Sequence, residues 1–257
     1  MTDALASMPT FLRKRLVRGL DTGALVAPYS AAALQMTLGQ ADAAALAALE
    51  RLAAQGITGR TAAEWIRTLD RAAGPTTLPD LVWSGPEVPG VPARDTRRVY
   101  EELFTSANRS LWAVSYAYFD GRSVFDLLAR RMEAVPELRV TLLLNIHRRQ
   151  NDTSRPDEMV RRFAARFWKE DWPGDARPTV FYDPRSIDPS VRGVLHAKAL
   201  VADEERVFVT SANFTAAAQD DNIELGLLVR SRSLALGVVR HLQGLIDRGL
   251  LRSLPDE

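Results

Sequence analysis

The chain has 257 residues, 46% of them hydrophobic and 25% charged, which is ordinary for a folded protein with one large or two smaller cores. It has no cysteine and three histidines, which excludes disulfides, thiolate metal sites and a histidine-rich metal cage. The formal net charge is +1, so any nucleic-acid contact must come from a local basic patch rather than from overall charge.

Residues 1–74 read as a small all-α module. Apolar residues recur at helical spacing from Phe11 to Leu20, beside Arg13, Lys14, Arg15 and Arg18, and alanine- and leucine-rich stretches follow at 30–38 and 42–55. Thr61 and Glu64 have capping-box spacing and predict the start of a fourth helix. The basic first helix suits either a solvated face or a contact with nucleic acid. Residues 75–94 carry five prolines, and the sequence predicts a linker with no regular element. From Asp95 to residue 257 the pattern becomes α/β. Helices are expected at 95–107, capped by Asp95, at 123–134, capped by Ser123, at 157–169 and at 233–248. Strands are expected at 110–119, 138–146, 179–182, 194–202, 206–210 and 222–229. Alternation of this kind implies a sheet with helices on both faces. No segment approaches the length of an apolar membrane span, so no membrane partner is expected, and the simplest address is the cytoplasm.

The chemistry gathers between Val194 and Glu224. His196 and Lys198 stand two apart on a predicted strand, and so share a face. Asp203 opens the following turn, Ser211 and Asn213 close the second strand, and Glu224 opens the third. An imidazole, an ammonium, a hydroxyl, a carboxamide and a carboxylate on adjacent strands suit phosphoryl transfer. The imidazole attacks phosphorus, the neutral and cationic donors hold non-bridging oxygens, and a carboxylate orients the imidazole. The chain has only three lysines against a large majority of arginines, and one of them is beside His196.

His196-Ala-Lys198, four residues, Asp203, six residues, then Thr210-Ser211-Ala212-Asn213 resembles the HKD signature of the phospholipase D superfamily, with Glu224 at the position of the family's further glutamate. Thr210 stands where the family usually has glycine. The resemblance implies a phospholipase D-like mixed sheet flanked by helices, and catalysis without metal or cofactor through a phosphohistidine. It also implies two His-Lys sets per active site. The chain contains one, because His147-Arg148-Arg149 does not match the pattern and His241 lies on the last predicted helix. A homodimer that pairs His196 with its copy is therefore expected. The helical module, proline-rich linker and single motif together resemble the phospholipase D-like protein of DISARM-type anti-phage systems, which implies a DNA substrate and defence-protein partners reached through residues 1–74. Arg148, Arg149, Arg162, Arg166, Arg185 and Arg192 are candidate contacts to the phosphates of DNA or RNA. A non-catalytic binding or scaffold subunit and a phospholipase or phosphatidyl transferase are the alternatives.

Overall fold

The computed structural model describes residues 3–6, 8–72, 78–149, 151–191 and 193–256. The chain divides into two compact units, Met1–Leu81 with Pro86–Ala93, and Val82–Gly85 with Arg94–Glu257. The first is helical: α1 (Asp3–Ala6), α2 (Thr10–Thr22), α3 (Ala31–Leu38), α4 (Ala43–Ala54) and α5 (Gly59–Ala72). Leu12, Leu16, Leu20, Leu34, Leu38, Leu49 and Ile66 fill its core. Ser30 and Asp42 cap α3 and α4 by accepting from the amides of Ala33 and Ala45. The predicted capping box at Thr61 is displaced: α5 begins at Gly59, the Thr61 amide bonds the Thr58 carbonyl, and Glu64 pairs with Arg67 at 3.2 Å. The basic stripe of α2 is also less free than its sequence suggests. Arg13 is buried and donates to the Leu5 carbonyl at 3.3 Å, and Arg15 donates to the Leu38 carbonyl at 2.8 Å.

The second unit is built on a nine-stranded mixed sheet in the order β2-β1-β8-β7-β6-β3-β4-β5-β9. The strands are β1 (Asp80–Ser84), β2 (Arg94–Asp95), β3 (Ser110–Ser115), β4 (Arg139–Leu144), β5 (Thr179–Tyr182), β6 (Ala199–Ala202), β7 (Arg206–Thr210), β8 (Glu224–Arg230) and β9 (Arg252–Ser253). The expectation that prolines exclude regular structure throughout 75–94 is corrected by β1. Its five residues DLVWS hold no proline, alternate in burial, and fit between the breakers at 79 and 86. Strands β3, β4 and β5 run parallel, while β6, β7 and β8 form an antiparallel meander beside β3.

Period-two alternation divides the core between the two faces of this sheet. Leu111 and Ala113 of β3, Leu142 and Leu144 of β4, Leu200 of β6 and Phe208 of β7 pack under α6 (Thr96–Ser106), α7 (Gly121–Ala134) and α8 (Pro156–Arg166). On the opposite face Val114, Leu143, Val201 and Val207 meet α10 (Arg232–Asp247), which follows the short α9 (Ala216–Asp220) and β8 in the chain. The sheet thus carries helices on both faces, as the sequence pattern implies. Asp95 caps α6 as predicted, accepting from the Arg98 amide at 2.8 Å. Ser123 does not cap α7, which starts two residues earlier after Asp120, a residue held at φ 51°. The predicted helix at 157–169 ends at Arg166 and continues as a single wide turn over Phe167–Asp171.

Candidate active site

The carboxyl ends of β3 and β4, the start of β6, the end of β7 and the start of β8 lie at one end of the sheet, where open α/β sheets place their sites. His196 and Lys198 lie in an extended lead-in rather than inside a strand, because β6 begins only at Ala199. The Lys198 ammonium folds back over the imidazole, 3.1 Å from Nδ1 and 3.2 Å from Nε2, and donates to the His196 carbonyl at 2.9 Å. The ring of Tyr116, just past β3, supports both groups. Its centroid lies 4.7 Å from that of the imidazole, and the Lys198 ammonium sits 5.4 Å above it in cation–π range. Desolvation lowers the Lys198 pKa from its ordinary value, with the Glu224 carboxylate opposing that shift.

The other half of the constellation is held by β7 and β8. Ser211 donates to the Glu224 carboxylate, and its oxygen accepts from the Leu225 amide at 3.1 Å. Among the described residues Glu224 has no hydrogen bond to His196, so the carboxylate acts here on Ser211 and, through its charge, on Lys198. The Asn213 Oδ1 is buried without a protein partner, an acceptor left open at the site. Around Asn213 the backbone is fixed. The Tyr100 hydroxyl donates to the Ala212 carbonyl at 3.1 Å, and the Phe214 amide bonds the Ala117 carbonyl at 3.1 Å. The ring of Tyr100 packs edge-on against Phe208 and Phe214, and burial pushes its hydroxyl pKa far up, so it stays a neutral donor.

Thr210 explains its own departure from the glycine expected there. Its φ is not positive, so the position does not require glycine. Its hydroxyl accepts from the Ala212 amide at 3.0 Å and donates to the Leu225 carbonyl at 3.4 Å. The space is made by the residue across the ladder, Gly226, where a Cβ would lie 2.6 Å from the Phe208 ring and 3.0 Å from the Thr210 Cβ. Gly226→Ala is therefore expected to cost about 1–3 kcal/mol by overpacking, read as a lower urea midpoint at unchanged slope.

Asp203 is not at the site. It lies at the far end of β6, about 16 Å from Lys198 at strand rise. Its buried carboxylate accepts from the amides of Asn108, Arg109 and Ser110 at 3.1, 2.7 and 3.1 Å. Asp203 and Glu204 both have positive φ, 56° and 57°, the requirement of the tightest hairpin turns. The residue is thus a clamp that ties the β6–β7 turn to the start of β3. Spacing alone grouped it with His196, but a strand's length separates them.

The predicted phosphate contacts are mostly committed elsewhere. Arg148 donates to the carbonyls of Ile187, Asp152 and Ser154 and holds its own loop together. Arg162 bonds the Ser154 hydroxyl at 3.0 Å, and Arg166 bonds Asp171 and the Tyr118 hydroxyl. Arg185 forks onto Asp183, although its side chain remains 63% exposed, and Arg149 is exposed. Arg192 lies outside the described residues. Sequence reasoning missed Tyr116 and Asn145. Asn145 follows β4 and accepts the Leu195 amide at 3.3 Å, so it steers the chain into His196. Polar or aromatic residues directly after buried parallel strands were the available signal.

A family model described as the cardiolipin synthase, phospholipase D-like domain matches residues 100–246, more than half of the chain. The chain belongs to this phospholipase D-like family. Membership places it among proteins of phosphodiesterase type. No curated protein matches it. Among solved structures, the phospholipase D-like chain is similar to Nuc of Salmonella typhimurium, a phospholipase D family member, at 17% identity and TM-score 0.44, over 68% of this chain and 98% of that one. It is similar to NucT of Helicobacter pylori at 15% identity and TM-score 0.41, over 59% and 87% of the two chains. It is also similar to phosphatidylserine synthase of Haemophilus influenzae Rd KW20 at 16% identity and TM-score 0.47, over 76% of this chain and 46% of that one.

Proposed function

We propose that the protein hydrolyses phosphodiesters in DNA through a phosphohistidine on His196, as a homodimer in which two copies of His196 share one active site. The observation that carries the reading is the meeting of His196, Lys198, Ser211, Asn213 and Glu224 at one end of the sheet. In this reading one imidazole attacks phosphorus, and the P–O bond to the leaving oxygen breaks as the second imidazole protonates that oxygen. Water, deprotonated by the second imidazole, then cleaves the phosphohistidine. Lys198 and the Asn213 carboxamide offer donors to the non-bridging oxygens. No group of three or more potential metal-ligating side chains occurs among the described residues, and the proposed steps use only the chain's own groups. Exposed Arg149, beyond the carboxyl end of β4, supports a polyanionic substrate. A role in anti-phage defence, with partners at residues 1–74, belongs to the same proposal.

A second reading is phosphatidyl transfer. Val194, Ile223 and Leu225, which flank His196 and Glu224, are exposed and apolar, a rim that suits an acyl chain. No helix among the described residues is long and apolar enough to cross a membrane. The test is cleavage of end-labelled single- and double-stranded DNA in excess EDTA, beside head-group release from phosphatidylglycerol vesicles. The proposal expects DNA products in EDTA and no head-group release. Head-group release without DNA cleavage would replace it with the second reading, and strict dependence on added metal would remove the mechanism.

A further inference from the structure

Beyond the end of β3, Phe119 leaves its ring in solvent. It is 71% exposed, whereas every other phenylalanine, tyrosine and tryptophan of the chain is buried or half-buried. A single exposed apolar side chain is ordinary on a protein surface, but three observations set this one apart. The first is rigidity. Tyr118 turns inward, with its ring 5.5 Å from that of Phe125 and its hydroxyl donating to the Asp171 carboxylate at 2.8 Å. The Phe119 amide bonds the Phe214 carbonyl at 3.3 Å. Asp120 then holds φ 51°, and Gly121 packs so closely that a Cβ there would lie 2.6 Å from the Asp171 Cβ. The ring is therefore presented on a backbone anchored on both sides, which is how a contact residue is preorganised. The second observation is position. Phe214, which anchors Phe119, directly follows Asn213, and Tyr116, which supports His196, stands three residues before Phe119. Three residues span at most about 11 Å, so the exposed ring stands beside the His196 site. The third is charge. Arg122, in the first turn of α7, is exposed and forms no ion pair among the described residues, while Asp120 is exposed and acidic. Flanking charges of both signs suit a neutral nucleobase better than an anionic membrane, which clustered basic and apolar residues recognise.

We propose that Phe119 is a stacking platform for an unpaired nucleobase beside the scissile phosphate, and that it thereby favours single strands over duplex DNA. The inference rests on the DNA reading above and adds a specificity-determining residue to it. Within a duplex each base is covered on both faces by its neighbours, so a ring held on a rigid turn has no face to meet. An unpaired base offers its π-face to the ring whatever its identity, so the contact discriminates strandedness and tolerates sequence. The ring orders at small entropic cost, because its backbone is already fixed and its side chain has only two torsions. Lys198 and Asn213 then hold the phosphate while Phe119 holds the adjoining base, which sets the register of the strand against His196.

The test compares wild type, Phe119→Ala and Phe119→Trp, as full chains, in cleavage of an end-labelled oligonucleotide offered as a single strand, as a duplex, and as single strands with one abasic site moved stepwise past the cut. Phe119→Ala is expected to raise KM for the single strand by about 5- to 150-fold, the loss of one base–aromatic stack, with a much smaller change in kcat. Its thermal midpoint should be retained, because the ring it removes is exposed. Its preference for the single strand over the duplex should shrink by the same factor, and Phe119→Trp should restore both. In the wild type an abasic site at one position beside the cut should reproduce the loss, and in Phe119→Ala the same abasic site should add nothing, a coupling that a merely structural role does not produce. The abasic series on wild type tests the stack even if Phe119→Ala misfolds. An unaltered KM in Phe119→Ala, or an abasic series without effect at any position, overturns the inference and leaves the DNA reading standing. A wild type that neither binds nor cleaves DNA overturns both. Loss of sedimentation with phosphatidylglycerol vesicles in Phe119→Ala, at unaltered KM for DNA, would overturn it in favour of lipid.

Discussion

Replacing His196 with alanine is expected to lower the turnover number for DNA cleavage by on the order of 10⁴-fold or more, with little change in thermal midpoint. The exposed imidazole makes no buried packing contact whose loss would unfold the protein; its neighbours are the Tyr116 ring and the Lys198 ammonium. In the proposed mechanism, however, the covalent intermediate forms on His196, so the substitution removes the nucleophile itself. Lys198→Ala and Asn213→Ala remove donors that bind the oxygens more tightly as charge develops, and each is expected to lose about 10²–10³-fold in turnover with a smaller effect on KM. Single-turnover kinetics on a labelled oligonucleotide measure all three. If His196→Ala retains wild-type burst kinetics, His196 is not the nucleophile.

The largest effect on stability is expected at Asp203. The buried carboxylate accepts three backbone amides at the start of β3 and holds two non-glycine residues at positive φ in the β6–β7 turn. Asp203→Ala strands those donors and releases the turn, a loss of about 3–5 kcal/mol by analogy with other buried charged partners. Burial raises the Asp203 pKa, but the amides of Arg109, Ser110 and Asn108 and the charge of Arg206 outweigh it, so the net shift is downward. A carboxylate whose native pKa is depressed stabilises the fold above its unfolded pKa, about 3.9, and that stabilisation is lost as the pH falls through the native value. Urea unfolding should therefore show the full gap between wild type and variant at pH 7, with the gap closing only below about pH 4. Activity of the folded fraction should be unchanged. A variant of wild-type stability that has lost catalysis would return Asp203 to the active site.

That contrast shows which parts of the molecule could be read from its sequence. Apolar alternation located β5, β7 and most of β3, β4 and β8, because strand burial depends on local period. The Asp95 cap was legible for the same local reason. Asp203 was misplaced because the motif groups it with His196, although a full strand's length of chain lies between them. The start of β6 was misread because Val194 and Leu195 are as apolar as the strand they precede, while in the structure the Leu195 amide bonds the Asn145 side chain and β6 begins only at Ala199. The arginines failed in a similar way. Arg148, Arg162 and Arg166 look free in sequence, but loop carbonyls, Ser154 and Asp171 claim them in space. The compensation between Thr210 and Gly226 is a cross-strand fact that no single stretch displays.

The shared active site is tested most directly by mixing. Wild-type protein and His196→Ala are unfolded together, refolded at a series of ratios and fixed total concentration, and assayed for DNA cleavage in EDTA. If each active site takes one His196 from each subunit, mixed dimers are inactive and the rate falls as the square of the wild-type fraction. A rate that falls in simple proportion to that fraction would show that each chain carries a complete active site of its own.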